Sequence, residues 1–190
     1  MLIAKPYRIG ILLAGGKSSR MGENKAFLEF QGEKFIDRMV RILSETGVDE
    51  VFVSGDFEKY QCIPDKISNK FEGPAAAISH CLEKIEKDCH ALFVPIDMPF
   101  LTVDCLKVLM DSEDGAFFSG FPLPAFLKRT ERVEESPKNV RELLIRLGAR
   151  PIELPKKYEQ DMLNINTREE WREALKNETE NRRARVYIQD

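Results

Sequence analysis

The stretch from Arg8 to Lys25 constrains the fold of this chain most, because an apolar strand runs directly into a loop of glycines and basic residues. Ile9 to Leu13 is mostly branched and apolar, which is typical of a strand buried on both faces of a parallel sheet. At Gly15 and Gly16 that pattern stops, and glycines allow a tight turn that brings backbone N–H groups close to an anion. The stretch predicts an open α/β sheet with a phosphate-binding loop after its first strand.

Positive charge is concentrated in the same region. Residues 1–25 hold five Lys and Arg residues against one Glu, a local charge of +4 in a chain of formal net charge −3. Ser18 adds a hydroxyl group, and Arg20 and Lys25 add cations that suit phosphate oxygens. We expect this loop to bind a small ligand that carries several phosphates.

Two better-known glycine motifs do not account for the loop. A P-loop needs a glycine five residues before the Gly of its Gly-Lys-Ser ending, and that position is Ile11. The dinucleotide spacing G-x-G-x-x-G does not occur here either. An ordinary strand-to-loop turn with solvated lysines is the alternative that the local pattern leaves open.

The composition sets the class of protein. With 190 residues, 43% of them hydrophobic, the chain is expected to form one domain over residues 1–176, followed by a charged tail over 177–190. A sequence pI near 5.6 argues against nucleic acid as a partner. The four cysteines show no metal-ligand spacing, and no apolar run is long enough to span a bilayer. We therefore expect a cytoplasmic protein with no membrane partner.

The rest of the chain alternates between helical and extended patterns, which predicts a parallel sheet with right-handed crossovers. Helices are predicted from Phe35 to Gly47 and from the starts at Gly73-Pro74, Thr102, Ser136-Pro137 and Thr167. Strands are predicted at 51–53, 91–96, 116–118, 124–127 and 152–154, with a short edge strand inside the loop 60–71.

Asp97 is the main candidate for a metal ligand. It follows the most apolar strand of the chain, and ligands of open α/β sheets bind at the carboxyl ends of strands. Mg²⁺ prefers one or two carboxylates plus phosphate oxygens and water, which Asp97 could satisfy with help from Asn164 or Asn166. The alternatives are a turn or cap role for Asp97, and likewise for Asn166, which precedes the capping box of Thr167 and Glu170.

These parts suit attack of an acceptor oxygen on the α-phosphate of a nucleotide, with pyrophosphate leaving. Positioning and charge neutralisation provide most of the catalysis in such transfers. Arg20, Lys25 and Asp97 are therefore the predicted catalytic residues, the first two acting on the charge of the leaving pyrophosphate.

The segment Leu13-Ala-Gly-Gly-Lys-Ser-Ser-Arg-Met-Gly-Glu-Asn-Lys-Ala26 resembles the signature L-A-G-G-x-S-x-R-M-G-x-x-K-A of the molybdenum cofactor guanylyltransferase (MobA) family. The resemblance continues through Gly73-Pro74, through Pro95 to Phe100 and through Asn164 to Thr167. It implies a three-layer Rossmann-like (GT-A-like) fold with a mostly parallel central sheet. It also implies an enzyme that transfers GMP from GTP to molybdenum-molybdopterin and releases pyrophosphate.

The resemblance also implies a set of site residues. Asn164 and Asn166 are expected on the acceptor side, and Mg²⁺ is expected on Asp97. A molybdoenzyme apoprotein or a cofactor-delivery chaperone is an expected protein partner. The residues expected around GTP, from the loop pattern and the resemblance together, are Leu13, Ala14, Gly15, Gly16, Ser18, Arg20, Lys25, Ser54, Asp65, Gly73 and Asp97.

Several features depart from the family pattern. Ser54 stands where the family commonly has Asn, and Ala75 and Ala77 stand where Leu and Gly are usual. Arg168 replaces the proline usual after Asn-x-Asn-Thr, and the region around Phe121 to Thr130, expected to help receive the pterin, is shortened. Two alternatives therefore remain open. One is a cytidylyltransferase, or a sugar- or alditol-phosphate nucleotidylyltransferase, of the same fold. The other is a non-catalytic protein that binds a nucleotide or delivers a cofactor.

Overall fold

The computed structural model describes residues 6–15, 25–65, 73–85, 89–128, 137 and 139–176. Gly16, Ser18, Arg20 and the tail 177–190 lie outside these residues. The strands within them are β1 (Arg8–Leu13), β2 (Glu29–Phe30), β3 (Glu33–Lys34), β4 (Glu50–Ser54), β5 (Cys62–Ile63), β6 (His90–Pro95), β7 (Ala116–Phe118), β8 (Phe121–Leu127) and β9 (Arg150–Ile152). The helices are α1 (Phe35–Glu45), α2 (Pro74–Lys84), α3 (Val103–Met110), α4 (Val140–Arg146) and α5 (168–176).

The central sheet has seven strands in the order β5-β4-β1-β6-β8-β7-β9, and β2 pairs with β3 in a separate hairpin. Within the described central sheet only β8 runs against its neighbours, because β6 and β7 both pair with it antiparallel while the other pairs of that sheet are parallel. Leu13 is in register with Ser54 on one side and Pro95 on the other, so three strands end at one edge. The predicted α/β fold with a mostly parallel sheet is confirmed.

Helices cover both faces of the sheet, which gives three layers. The alternation of side chains along β1 shows this directly, since Leu12 belongs to the core under α1 and α3. Ile11 and Leu13 point the other way, into the core under α2 and α4. Gly10 lets α1 approach closely, because a Cβ there would lie 3.1 Å from Leu43 Cδ2.

The structure corrects several predicted boundaries. The fourth helix begins at Val140, where the side chain of Asn139 accepts hydrogen bonds from the backbone N–H groups of Arg141 and Glu142. Ser136 lies outside the described residues. The strand expected at 152–154 occupies 150–152, since it pairs with β7 there. The strand expected at 124–127 begins at Phe121 because a hairpin turn through Gly120, at φ 86°, joins it to β7.

The segment after β9 returns the chain to the carboxyl edge of the sheet. Two 3-10 turns, Lys156–Tyr158 and Gln160–Met162, lead into residues 163–166. The Asp161 carboxylate in the second turn accepts hydrogen bonds from the backbone N–H and hydroxyl of Thr102, the N-cap of α3. Trp171 of α5 packs against Phe30 and Phe35, with ring centroids 5.8 and 4.9 Å away. These contacts fix the path of 163–166.

None of the helices within the described ranges is both long enough and apolar enough to span a bilayer.

Candidate active site

The candidate site lies where β1, β4 and β6 end side by side. Beyond the last paired residues, Ala14 N–H donates to the carbonyl oxygen of Ser54 over 3.3 Å, and Ile96 N–H donates to that of Leu13 over 3.2 Å. These bonds continue the parallel ladder for one more residue on each side. They bring Ala14 and Asp97 to one edge of the sheet, as the sequence predicted for the loop after β1 and the strand-end carboxylate.

Asp65 lies against the backbone of Gly15. A Cβ built on Gly15 would lie 3.1 Å from both carboxylate oxygens of Asp65, closer than an ordinary van der Waals contact. The loop that carries Asp65 is held by His80 of α2, whose Nε2 lies 2.8 Å from the Pro64 carbonyl oxygen. Because a carbonyl oxygen only accepts, His80 donates from Nε2. The structure thus brings together two residues that are 50 positions apart in the sequence.

Ser54 is at the same edge but faces inward. It is buried, and its side chain is hydrogen-bonded to the thiol group of Cys81 on α2. Burial raises the pKa of that thiol to about 12, which leaves the Cys81 sulfur protonated and unreactive at neutral pH. In this structure Ser54 shapes the edge through its carbonyl group, and its hydroxyl is directed away from the cleft.

Gly73 is exposed at the start of α2 and adopts a φ of 94°, a conformation that favours glycine. The helix connects β5 with β6, and both strands run in the same direction as β1. It must therefore begin at the carboxyl edge and run back toward the opposite edge. The positive end of the α2 dipole lies at the edge where β1 and β6 end.

Lys25 is the centre of the polar contacts in the site. Its Nζ donates to the carbonyl oxygen of Ile165 over 2.7 Å and to Asn166 Oδ1 over 2.9 Å. The Asp97 Oδ2 atom lies 3.8 Å away, and the Lys25 side chain is only 13% exposed. The ammonium group of Lys25, which follows the glycine loop, therefore contacts both the Asp97 carboxylate at the end of β6 and the segment 163–166.

The Asp97 carboxyl group is partly desolvated. Burial raises its pKa above the usual range for aspartate, while the charge of Lys25 opposes that rise. Oδ1 is buried and has no hydrogen-bond partner among the described residues. A buried carboxylate oxygen without a partner is costly unless it binds a proton or a cation, so this atom marks a position that suits a metal ion.

This arrangement suits a divalent cation that is coordinated in the way Mg²⁺ usually is. Among the residues that the structure describes, no group of three or more His, Cys, Asp or Glu residues could form a cage around a metal. Mg²⁺ needs no such cage, because it commonly binds one or two carboxylates and completes its shell with water and substrate phosphates. Asp97 offers one such carboxylate at the edge of the sheet.

Asn164 and Asn166 are both exposed, with buried Ile165 between them, as expected for an extended segment. The backbone N–H of Ile165 donates to the Asp97 carbonyl oxygen over 2.8 Å, which anchors the segment at the site. Glu170 Oε2 accepts from the N–H groups of Asn166 and Thr167 over 2.6 and 3.0 Å. Glu170 N–H in turn donates to Thr167 Oγ1 over 3.1 Å, which completes the predicted capping box.

Sequence reasoning missed two parts of the site. The first is the backbone carbonyl oxygen of Ile165, which accepts a hydrogen bond from Lys25. An apolar residue gives no sequence signal for that role. The second is the hydrogen bond that the Glu170 carboxylate accepts from the backbone N–H of Asn166. The capping box in the sequence identified Glu170 as a cap residue but did not predict this contact.

Comparison with known proteins gives a consistent family. The family profile described as "MobA-like NTP transferase domain" matches residues 10–121, well over half of the chain. A molybdenum cofactor guanylyltransferase from Xanthomonas euvesicatoria is 29% identical over 183 residues, which cover 90% of this chain and 95% of that protein.

Solved structures share the fold at low sequence identity. A nucleotidyl transferase from Methanothermobacter has a TM-score of 0.71 at 16% identity, covering 90% of this chain and 97% of its own. The molybdopterin-guanine dinucleotide biosynthesis protein A of Archaeoglobus fulgidus has a TM-score of 0.66 at 18% identity, covering 90% and 99%. A Mycobacterium tuberculosis protein crystallised in complex with manganese has a TM-score of 0.61 at 15% identity, and the match covers 90% of this chain and 98% of that protein.

Proposed function

The chain belongs to the MobA-like NTP transferase family of nucleotidyltransferases, and on that basis we propose that it transfers GMP from GTP to molybdenum-molybdopterin. The products are molybdopterin guanine dinucleotide and pyrophosphate. In this reaction an acceptor oxygen attacks the α-phosphorus of GTP, and the bond from that phosphorus to the oxygen shared with the β-phosphate breaks. The observation that carries the proposal is the pairing of Lys25 with Asp97 at the carboxyl edge, 3.8 Å apart.

Each side of the site has its own task. The backbone of Leu13, Ala14 and Gly15 borders the triphosphate, and Lys25 binds its oxygens and stabilises the charge on the leaving pyrophosphate. In the proposal Gly16, Ser18 and Arg20 continue this cradle. The exposed residues Asn164 and Asn166 face the acceptor, and Asp65 and Gly73 border the nucleoside.

Asp97 is the proposed ligand of Mg²⁺. When bound, the metal ion neutralises phosphate charge and orients the triphosphate. The charge of Lys25 opposes the rise in the pKa of Asp97 that burial causes, and it thereby favours the carboxylate form that a cation would bind.

The wider assignment follows from the same proposal. Residues 1–176 are proposed to act as one nucleotidyltransferase domain in the cytoplasm, in molybdenum cofactor biosynthesis. A molybdoenzyme apoprotein or a delivery chaperone is the proposed recipient of the product.

Base selectivity has a specific alternative. The Ser54 side chain is buried and bonded to Cys81, so it offers the nucleobase no polar group where the family commonly has an amide. That observation keeps a cytidylyltransferase, or a sugar- or alditol-phosphate nucleotidylyltransferase, as the second candidate. A non-catalytic nucleotide-binding or delivery protein has less use for a carboxylate beside the leaving group.

Thermal unfolding with GTP, CTP, UTP and ATP, each with and without Mg²⁺, tests the proposal. Saturation near one hundred times Kd adds about 2.7 kcal/mol of stability, and each kcal/mol raises Tm by roughly 2–4 °C at this size. A rise with GTP and Mg²⁺ alone supports guanylyl transfer, and pyrophosphate release with the pterin acceptor then completes the test. A rise with CTP or UTP instead supports the second candidate, and no rise with any nucleotide contradicts nucleotidyl transfer.

A further inference from the structure

We propose that Asn166 competes with the nucleotide phosphates for Lys25, so that acceptor binding at Asn166 releases the ammonium group and tightens nucleotide binding. This inference rests on the proposed function, because it assigns the phosphates to Lys25. It gives Asn166 a second task, as a positioning residue that sets nucleotide affinity through Lys25.

The donors of Lys25 are limited. An ammonium group has three N–H donors, and the structure directs one to the Ile165 carbonyl oxygen and one to Asn166 Oδ1. Asp97 Oδ2, at 3.8 Å, draws the same group toward the carboxylate. A triphosphate that takes more than one bond from this lysine must therefore displace an existing acceptor.

Of these two hydrogen bonds, the one to Asn166 is the easier to release. The Ile165 carbonyl is fixed, because Ile165 is 3% exposed and its N–H is bonded to the Asp97 carbonyl. Asn166 is exposed, and Glu170 holds it only through its backbone N–H, which leaves its side-chain amide able to rotate. An acceptor that donates an N–H or O–H to Asn166 Oδ1 replaces Lys25 there.

The exchange makes the two binding events cooperative. Without acceptor, part of the nucleotide binding energy goes into breaking the Lys25–Asn166 bond. When an acceptor is bound at Asn166, the Lys25–Asn166 bond is already broken, so the nucleotide binds without that loss. Each ligand therefore raises the affinity of the other by the same factor. A purely structural bond would instead favour nucleotide binding, because it would hold Lys25 in place.

Two substitutions of Asn166 distinguish a competing bond from a purely structural one, because the two kinds of bond predict opposite changes in the Kd for GTP. The Kd is measured by calorimetry in the presence of Mg²⁺ and without acceptor. Asn166→Ala removes the competing oxygen and should lower the Kd for GTP by about three- to tenfold, the range for a partly exposed hydrogen bond to a charged group. Asn166→Asp places a carboxylate on Lys25 and should raise Kd by a similar factor. Inorganic tripolyphosphate should show the same two shifts, because the competition involves phosphates alone.

Glu169→Ala is the control for general electrostatics, since this exposed carboxylate lies on the same helix and has no assigned task in the site. Its Kd should equal that of the wild type. Turnover adds a second readout, because Asn166→Ala should bind GTP more tightly yet turn over more slowly once its acceptor contact is lost.

The inference is overturned if Asn166→Ala leaves Kd unchanged or raises it, or if both Asn166 variants shift Kd in the same direction. In those outcomes GTP still binds the wild type and the proposed function stands. A wild-type protein that binds neither GTP nor tripolyphosphate contradicts the proposed function, and the inference then falls with it.

Discussion

The ammonium group of Lys25 lies 2.7 Å from the backbone carbonyl oxygen of Ile165, 140 residues later in the chain. Lys25 follows the glycine loop, and Ile165 belongs to the segment that returns after β9. This bond, together with the bond from the same ammonium group to Asn166 Oδ1, joins the proposed nucleotide side of the site to its proposed acceptor side. The location of this bond determines what several substitutions should do.

Replacing Lys25 by Met should weaken both GTP binding and turnover, because in the proposed reaction the side chain acts on the triphosphate and on the leaving pyrophosphate. It should also cost about 1–3 kcal/mol of stability, since the Ile165 carbonyl oxygen loses its donor in a nearly buried position. Calorimetry with GTP and urea unfolding measure the two effects. Lys84→Met, at the exposed end of α2 on the opposite edge of the sheet, is the matched control and should change neither.

Asp97→Ala should abolish pyrophosphate release while some nucleotide binding remains, because the proposed phosphate contacts of Lys25 and of the backbone after β1 do not depend on Asp97. Steady-state assays of pyrophosphate, together with calorimetry on the same samples, separate these effects. Asp111→Ala, which removes an exposed carboxylate at the end of α3, should keep the wild-type rate. Pyrophosphate release by Asp97→Ala at the wild-type rate would show that the proposed metal ligand is wrong.

Stability should depend on pH through Asp97. Burial raises its pKa in the folded protein above the value of about 3.9 for an unfolded aspartate. Between the two values the folded state binds more protons, so the free energy of unfolding falls as the pH rises through that window. Asp97→Asn has no such titration, so metal-free wild type should lose stability relative to this variant from about pH 4 upward.

Denaturant unfolding of both proteins in EDTA over a pH series measures this difference. The gap should stop growing once the pH exceeds the folded pKa of Asp97, because the carboxyl group is then ionised in both states. Parallel stability profiles for wild type and Asp97→Asn would contradict the raised pKa.

Much of the fold could be predicted because its signals are local. The apolar run of β1, the position of Asp97 after β6 and the Gly73-Pro74 start of α2 each depend on a few neighbouring residues. The Thr167–Glu170 capping box is equally local, and the structure reproduces it. Such patterns encode secondary structure directly, and their alternation predicted a mostly parallel sheet, although not the order of its strands.

The contacts that complete the site could not be predicted in the same way. The bond from His80 to the Pro64 carbonyl and the bond from Lys25 to Ile165 both use a backbone oxygen, which every residue has. Their partners are chosen by packing over long sequence separations. The inward direction of the Ser54 hydroxyl likewise depends on Cys81 of α2.

Asp161→Ala should destabilise the protein by about 1–3 kcal/mol, because the N–H and hydroxyl of Thr102 lose a buried acceptor at the start of α3. At this chain length the loss corresponds to a fall in Tm of roughly 2–4 °C per kcal/mol. Glu159→Ala, an exposed neighbour, should leave Tm near the wild-type value. Equal melting temperatures for wild type and Asp161→Ala would indicate that this contact adds nothing to stability.

Two glycine-to-alanine substitutions, one in β1 and one after it, should affect different properties: Gly15→Ala should weaken GTP binding, and Gly10→Ala should lower stability. A methyl group on Gly15 would lie 3.1 Å from both Asp65 carboxylate oxygens, and its backbone is not among the described glycines with positive φ. Because exposed Asp65 can shift aside, Gly15→Ala should keep its stability but displace the carboxylate that borders the nucleoside in the proposed site, raising Kd for GTP by about tenfold. A methyl group on Gly10 instead meets Leu43 of α1 at 3.1 Å, inside the core.

Gly10→Ala should therefore cost about 1–3 kcal/mol of stability through overpacking, while the protein that remains folded binds GTP normally. Thermal unfolding and GTP calorimetry on both variants distinguish the two outcomes. If Gly15→Ala binds GTP as tightly as the wild type, the position of the Asp65 carboxylate does not affect nucleotide binding. The nucleoside would then be bordered by residues elsewhere on the edge, such as those at the start of α2.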